Sequence, residues 1–360
     1  KVKATTSAYP SVAFHSIRLL SESGRGGESR QQLDELLAKY KASLPHSALN
    51  LFLVQRLKLA SNLFEFLTYA QRVPAGFSLD EDGREQQEEP AQNDDLKVFS
   101  DGRALIEVDA AKILNEKMPL SVLKNAATSN ALPEHLRRDL AQATWLRAVL
   151  LDDEETARDL VPLLKSLVPA MGSLLDDYMT AKTSDARKFA AIYAWLKFPG
   201  LEPKVDSGLG RMLLPLSEQD SFRDNWWCLA ASDSERMQAI ENKIETEGKG
   251  AAKAFTAMSA ADSPLFLDQS QRAAAAKEHE RLANFGAAPN YLCRQVIAWA
   301  QKNPNDPRLP EALHLAVKST RYGCPDKDTG AASKAAFQLL HKRYPASPWA
   351  KKTPYWYKDS

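Results

Sequence analysis

The 360-residue sequence has few of the residues that build β-sheets and tight hairpins. Valine and isoleucine together number 20 and glycine 15, whereas alanine and leucine together number 99. Alanine and leucine lose little conformational freedom in a helix, whereas β-branched side chains favour the pleated surface of a sheet. A β-sandwich, a β-barrel and a doubly wound α/β fold are therefore excluded, and the composition predicts an all-α protein. The 44% of apolar residues can build a core, which excludes wholesale disorder.

The sequence also lacks an excess of one charge and lacks a long apolar run. Forty-seven Lys and Arg against 46 Asp and Glu leave a formal charge of +1, without the basic excess typical of nucleic-acid-binding proteins. No apolar run reaches the about 18 residues of a membrane helix. We therefore expect neither a nucleic-acid partner nor a membrane span in this chain. Because it begins at Lys1, we expect a processed or excised piece, in which any signal peptide or lipid anchor would lie upstream of Lys1.

Cysteine is scarce and odd in number, with Cys228, Cys293 and Cys324. The sequence contains no Cys-x-x-Cys and no His/Cys cluster at zinc spacing, so we predict no metal site and no cofactor. The favoured interpretation is three buried thiols that pack as small hydrophobic side chains. The alternative is a disulfide between Cys293 and Cys324, which requires that neighbouring helices bring them together.

Helix signals recur along most of the chain. Residues 46–72 carry apolar side chains on more than one side and predict one long helix. Ser232 with Glu235, and Asp268 with Gln271, have the spacing of a capping box, in which each side chain bonds the backbone N–H of the other residue. Paired helices joined by short loops are typical of an array of helix hairpins.

The composition changes between Asp80 and Asp95, where eight residues are acidic, one is arginine and none is large and apolar. Such a segment predicts a solvated loop or linker, with an acidic docking segment as the alternative. We therefore divide the chain into four parts. These are N-terminal helices (1–78), an acidic loop or linker (79–100), a helical-hairpin array (101–286) and C-terminal repeats (287–360).

Two segments near the C-terminus align with an offset of 41 residues, 298–307 and 339–348. In each, a helix ends in a basic residue, breaks at x-Pro and restarts at an Asp or Ser cap followed by proline. LLHKRYPASPWA resembles the Tyr-Pro-x-Ser-x-x-Ala pattern of tetratricopeptide-like repeats in bacterial envelope proteins, including outer-membrane assembly lipoproteins. AWAQKNPNDPRLPEALHLA is similar to the same pattern.

This resemblance covers about residues 290–357, and its offset is longer than the usual repeat of about 34 residues. It implies an irregular α-solenoid of stacked, tetratricopeptide-like helix hairpins. It also implies that the partners are other proteins of a larger assembly. The implied location is periplasmic or secreted, with the cytoplasm as the alternative.

Motifs of catalysis are absent from the sequence, including His-Glu-x-x-His, Gly-x-Ser-x-Gly and a phosphate-binding loop. His314 and Cys324 are close in sequence, but a buried, hydrogen-bonded histidine is favoured over a nucleophilic pair. Glu22-Ser23 resembles the Glu-Ser of lytic transglycosylases, although their Gly-Leu-Met-Gln stretch is absent. An all-α enzyme acting on a glycan or a peptide is therefore the alternative function.

Two clusters combine aromatic and basic side chains, which can bind sugars, bases or peptides. At the end of a helical array they more often cap the core, and we expect this of Trp349. The candidate partner-binding residues are Trp226, Trp227, Lys351, Lys352, Tyr355 and Trp356. The predicted function is a non-catalytic scaffold or protein–protein interaction subunit of a bacterial envelope or secreted complex.

Overall fold

Short turns join most of the helices that the composition predicts. The computed structural model describes residues 6, 8–73, 78–79, 85–86, 104–207, 264–321 and 325–358. Within these ranges the protein is all-α apart from four strands of two residues each. The helices are α1 (Tyr9–Glu22), α2 (Gly26–Tyr40), α3 (His46–Lys58), α4 (Leu63–Tyr69), α5 (Val108–Glu116), α6 (Leu120–Ala127), α7 (Glu134–Leu150), α8 (Glu154–Leu167), α9 (Gly172–Thr180), α10 (Ser184–Lys197), α11 (Gln269–Ala283), α12 (Ala288–Lys302), α13 (Leu309–Ser319), α14 (Thr329–Arg343) and α15 (Pro348–Lys351).

The strands form two antiparallel pairs, of which the first flanks the predicted acidic segment and the second reaches into it. β1 (Gln71–Arg72) pairs with β4 (Leu105–Ile106), and β2 (Ser78–Leu79) pairs with β3 (Glu85–Gln86). The chain therefore returns to the end of the N-terminal helices after the acidic segment. Most of the predicted loop, residues 79–100, lies outside the residues that the structure describes.

The capping box at the start of α11 is confirmed. Asp268 Oδ1 accepts the backbone N–H of Gln271 at 2.8 Å, and Gln271 Oε1 accepts the backbone N–H of Asp268 at 3.0 Å. Each side chain accepts a hydrogen bond from a backbone N–H at the start of the helix, where the N–H groups have no acceptor within the helix itself. The similar pair predicted at Ser232 and Glu235 lies outside the described ranges.

The prediction of one continuous helix over residues 46–72 is wrong, because the chain breaks between α3 and α4. Asn62 Oδ1 accepts the backbone N–H of Glu65 at 2.9 Å, and Glu65 Oε2 accepts that of Ser61 at 3.0 Å. Asparagine side chains bond to nearby backbone groups and therefore favour the start of a helix over its interior. The apolar residues on both sides of the break concealed it in the sequence pattern.

Helices that follow one another pack together, including α1 with α2, α7 with α8, α9 with α10, and α13 with both α12 and α14. The main core runs from Leu57 to Ala350, and a smaller core of α1, α2 and α3 surrounds Phe52. Among the described helices, none combines the length and the apolar composition needed to cross a bilayer.

A buried arginine fixes the segment that follows α10. Arg147 on α7 is 5% exposed and donates hydrogen bonds to three backbone carbonyls, those of Pro203 at 2.6 Å, Leu114 at 3.3 Å and Asn115 at 2.7 Å. The Asn115 side chain in turn bonds the backbone N–H and C=O of Val205. Burial lowers the pKa of Arg147 to about 10, so the guanidinium remains charged at neutral pH. It thereby satisfies carbonyls at the C-terminus of α5 that have no partner within the helix.

Helix α11 connects distant parts of the chain. Glu278 Oε2 accepts the backbone N–H of Leu120 at 2.7 Å, and Arg281 donates to the carbonyl of Leu151 at 2.9 Å. A carboxylate at the N-terminus of α6 is stabilised by the partial positive charge of the helix end. Burial outweighs this effect and raises the pKa of Glu278.

Candidate functional site

The chain after α15 lies across α13 and α14 and is fixed there by hydrogen bonds. The Thr353 side chain bonds His314 Nδ1 at 2.7 Å, and its carbonyl accepts from His341 Nε2 at 2.9 Å. Arg321 donates to the carbonyl of Tyr355 at 2.6 Å, and Tyr357 N donates to Ser333 Oγ at 3.0 Å. Residues 352–358 therefore form an ordered covering over the last two long helices.

Trp349, as predicted, and also Trp356 fold back onto these helices. The ring centroids of Trp349 and His314 are 5.1 Å apart, and those of Trp356 and Phe337 are 4.9 Å apart. Both indoles are half-buried against the main core. They therefore cover the main core at this end of the helices, as the sequence predicts for Trp349.

Four of the six predicted partner-binding residues come together at this end, whereas Trp226 and Trp227 lie outside the described residues. Tyr355 is 56% exposed, and the Arg321 guanidinium lies 4.0 Å from its ring centroid. Lys352 lies 4.6 Å from the ring centroid of Trp349, and Lys351 is exposed beside it. We define the C-terminal face as Arg321, Lys334, Lys351, Lys352, Tyr355, Trp356 and Lys358.

The C-terminal face is strongly basic. Residues 309–358 contain nine Lys and Arg but three Asp and Glu. Two of these carboxylates are already engaged, because Glu311 pairs with Lys197 at 2.6 Å and Asp326 accepts from Asn290 at 2.6 Å. Within the residues that the structure describes, Lys334, Lys351, Lys352 and Lys358 have no carboxylate within ion-pair distance. The lysines of this face are therefore available to an external anion.

His314 is neutral at physiological pH because of its surroundings. Burial, together with the positive charges of Lys318, Arg321 and Lys352 and against the opposing charge of Glu311, lowers the pKa of His314 to about 4. The Thr353 hydroxyl donates to the carbonyl of Trp349 at 2.8 Å, so it accepts from His314 Nδ1–H. We assign the Nδ1–H tautomer on this basis.

We expect acid to weaken the end cap through His314. The unfolded histidine titrates near its ordinary pKa, above that of the folded state, so the unfolded chain binds more protons between these two values. The free energy of unfolding should therefore fall as the pH drops from about 6.5 to 4, by about 1–2 kcal/mol for this partly solvated group. Urea titrations of the wild type and His314→Gln over this range test it. Equal pH dependence in the two proteins contradicts it.

A groove of about 710 Å³ lies between the facing ends of α9 and α10 on one side and the turn from α12 to α13 on the other. Asp306 connects two other lining residues, because it accepts from Trp299 Nε1 at 2.9 Å and from Arg308 Nη2 at 2.7 Å. Burial alone would raise the pKa of Asp306, but these hydrogen bonds lower it. The lining residues are Asp177, Thr180, Ala181, Ala186, Trp299, Lys302, Asn303, Pro304, Asn305, Asp306, Pro307 and Arg308.

An aromatic stack stiffens the wall of this groove. Trp299 and Phe189 lie nearly parallel with centroids 5.0 Å apart, and the Arg308 guanidinium lies 4.8 Å from the Phe189 centroid. Helix α14 supports the turn, because Tyr344 Oη donates to the carbonyl of Pro304 at 2.7 Å. The groove is therefore preformed by ring packing and hydrogen bonds.

Within the described ranges, the candidate catalytic residues have structural partners. His314 bonds Thr353, while Cys324 lies outside the described ranges. Cys293 is a free, buried thiol that contacts the carbonyl of Ala316, and burial raises its pKa to about 12, which suppresses the reactive thiolate. Glu22 is exposed and pairs with Arg18 at 3.4 Å. Within the described ranges, no three His, Cys, Asp or Glu side chains are grouped so as to hold a metal ion.

Sequence reasoning missed the groove, although it identified the turn that forms it. The sequence pattern of Asn-Pro-Asn-Asp-Pro predicts only a helix break and a capped restart that recurs 41 residues later, and it assigns no role to Asp177. The available signal was Trp299, which lies four residues before a loop rich in amide and carboxylate side chains.

Comparison of the chain with protein-family models, with curated proteins and with solved structures found no match.

Proposed function

We propose that this protein is a non-catalytic interaction subunit whose C-terminal face binds an acidic segment of a partner protein. The observation that carries the proposal is the group of unpaired lysines beside exposed aromatic surface at the capped end of the helices. Charge complementarity favours a carboxylate-rich partner, because the lysines lack such groups within the described part of the chain.

The geometry of the face suits protein recognition. Tyrosine and arginine are enriched at the centres of protein interfaces, and Tyr355 lies against Arg321 with more than half of its surface exposed. The hydrogen bonds of Thr353 and Tyr357 already fix the backbone of this segment. A partner would therefore bind a preorganised surface, which reduces the ordering cost of association.

The wider role that we propose is a scaffold built as an irregular solenoid of helix hairpins. Helix α12 packs against α10, α13 and α14, as stacked hairpins require. The two aligned turns are also alike, since Asp306 and Ser347 each accept the backbone N–H of the residue two positions later, at 3.0 and 3.1 Å. These contacts support the proposal. A location in the periplasm or a secreted complex rests on the sequence resemblance, and fractionation of cells carrying the complete gene tests it.

The C-terminal face can be tested with a labelled peptide of alternating Glu and Gly. We expect Lys334→Glu with Lys351→Glu to weaken its binding about tenfold, because two exposed attractive charges become repulsive. Fluorescence anisotropy at low and physiological salt measures the affinity. Lys39→Glu with Lys41→Glu, at the exposed end of α2, makes the same change of charge elsewhere and should leave the affinity unchanged.

The peptide with Gln in place of Glu should bind neither the wild type nor either double variant. Equal affinity of the two double variants for the acidic peptide would overturn the assignment of the face. So would binding to vesicles of anionic phospholipid without binding to the acidic peptide, because the face would then be a membrane-contact surface.

A further inference from the structure

We propose that the groove between α9 and the turn from α12 to α13 binds a neutral carbohydrate. This site is separate from the C-terminal face and does not depend on the function proposed for it. Its volume, about 710 Å³, lies within the range of about 300–1,000 Å³ typical of small-ligand sites. The choice of ligand follows from the charges, the hydrogen-bonding groups and the apolar surface of the lining.

The charges of the lining disfavour an ionic ligand. Both cations are already paired, Lys302 with Asp185 at 2.7 Å and Arg308 with Asp306 at 2.7 Å. The groove therefore offers no unpaired cation to an anion. A cationic ligand would meet Lys302 and Arg308 as well as Asp177, and the formal charges of the lining residues cancel. A neutral ligand therefore meets the least electrostatic repulsion in the groove.

Several hydrogen-bonding groups of the lining remain unused. Within the described residues, the Asp177 carboxylate and the side-chain amides of Asn303 and Asn305 make no hydrogen bond. The carboxylate accepts hydrogen bonds, whereas each amide both donates and accepts them. Hydroxyl groups can do both, so a ligand with many hydroxyls would satisfy these side chains together.

The apolar part of the lining is flat and rigid. It consists of Trp299, two prolines and two alanines, without any leucine, isoleucine, valine or phenylalanine. Such a lining has none of the large aliphatic side chains that would form pockets for apolar side chains of a peptide. An indole fixed by Asp306 and Phe189 instead suits the C–H surface of a sugar ring, which presents hydroxyls at its edge. We therefore favour a sugar over a peptide.

Adjacent carboxylates on α9 supply a matched test. Asp177 lines the groove, whereas Asp176 is also exposed but pairs with Lys165 at 2.7 Å. Isothermal titration with soluble oligomers of glucose, mannose and N-acetylglucosamine should show binding of at least one of them. Asp177→Ala and Asn305→Ala should each weaken it about tenfold, and Asp176→Ala should bind as the wild type does.

The proposal is overturned if none of these oligosaccharides binds, or if Asp177→Ala, Asn305→Ala and the wild type bind alike. Binding of uncharged extended peptides with the same dependence on Asp177, in the absence of sugar binding, would also overturn it. The Lys334→Glu, Lys351→Glu double variant should retain sugar binding, since both lysines lie outside the groove. This control distinguishes failure of the groove from failure of the C-terminal face.

Discussion

Replacing Arg147 by methionine is expected to lower the free energy of unfolding by about 3–5 kcal/mol, because three buried carbonyls lose their donor. Those of Leu114 and Asn115 end α5, and that of Pro203 belongs to the segment after α10. Methionine fills most of the volume but donates no hydrogen bond. Urea denaturation followed by circular dichroism measures the change.

Two further variants test whether the loss of stability comes from the hydrogen bonds of Arg147. Arg147→Lys keeps the positive charge but lacks the planar fork that reaches several carbonyls at once, so it should lose most of the same stability. Arg158→Met, on exposed α8 surface, should stay within about 0.5 kcal/mol of the wild type. An unchanged midpoint for Arg147→Met would mean that water or local rearrangement satisfies the three carbonyls.

Trp349→Ala is expected to lower the free energy of unfolding by about 3 kcal/mol, the low end for a tryptophan truncation because the ring is half-buried. The change removes the contacts with His314 and Lys352 and leaves a gap beside buried Thr353. Trp356→Ala should cost less, about 1–2 kcal/mol, because its main aromatic contact is the half-buried Phe337. Thermal and urea denaturation of both variants measure these changes.

Phe64→Ala provides the control, since Phe64 is 57% exposed on α4 and its removal should change stability little. If both tryptophan variants unfold as the wild type does, the packing of the two indoles on α13 and α14 does not stabilise the protein. In that case their main role would be partner binding.

The sequence predicted helix ends best where a local side chain or proline determines them. Asp268 caps α11 as expected, and α12 and α14 end at Lys302 and Arg343 just before their x-Pro pairs. These features depend on residues within one turn of each other. Composition alone was sufficient for the all-α class, because alanine and leucine so greatly outnumber valine and isoleucine.

Features that depend on distant residues could not be predicted in this way. Arg147 lies in an apolar run and could have been recognised as buried, but its acceptors on α5 and after α10 are 32 or more residues away. The groove likewise combines Asp177 with a turn that begins more than a hundred residues later. Periodicity describes one face of one helix and contains no information about which helices meet.

The hydrogen bond between Leu120 and Glu278 has a consequence for synthesis of the chain. These residues are 158 positions apart, so the first turn of α6 leaves the ribosome long before its acceptor exists. At about 5–20 residues per second, the delay is about 8–30 seconds. Arg281 and Leu151, 130 positions apart, impose a similar delay. Although helix pairs that are adjacent in sequence can form as they emerge, these two polar contacts of the middle of the protein form only when α11 arrives.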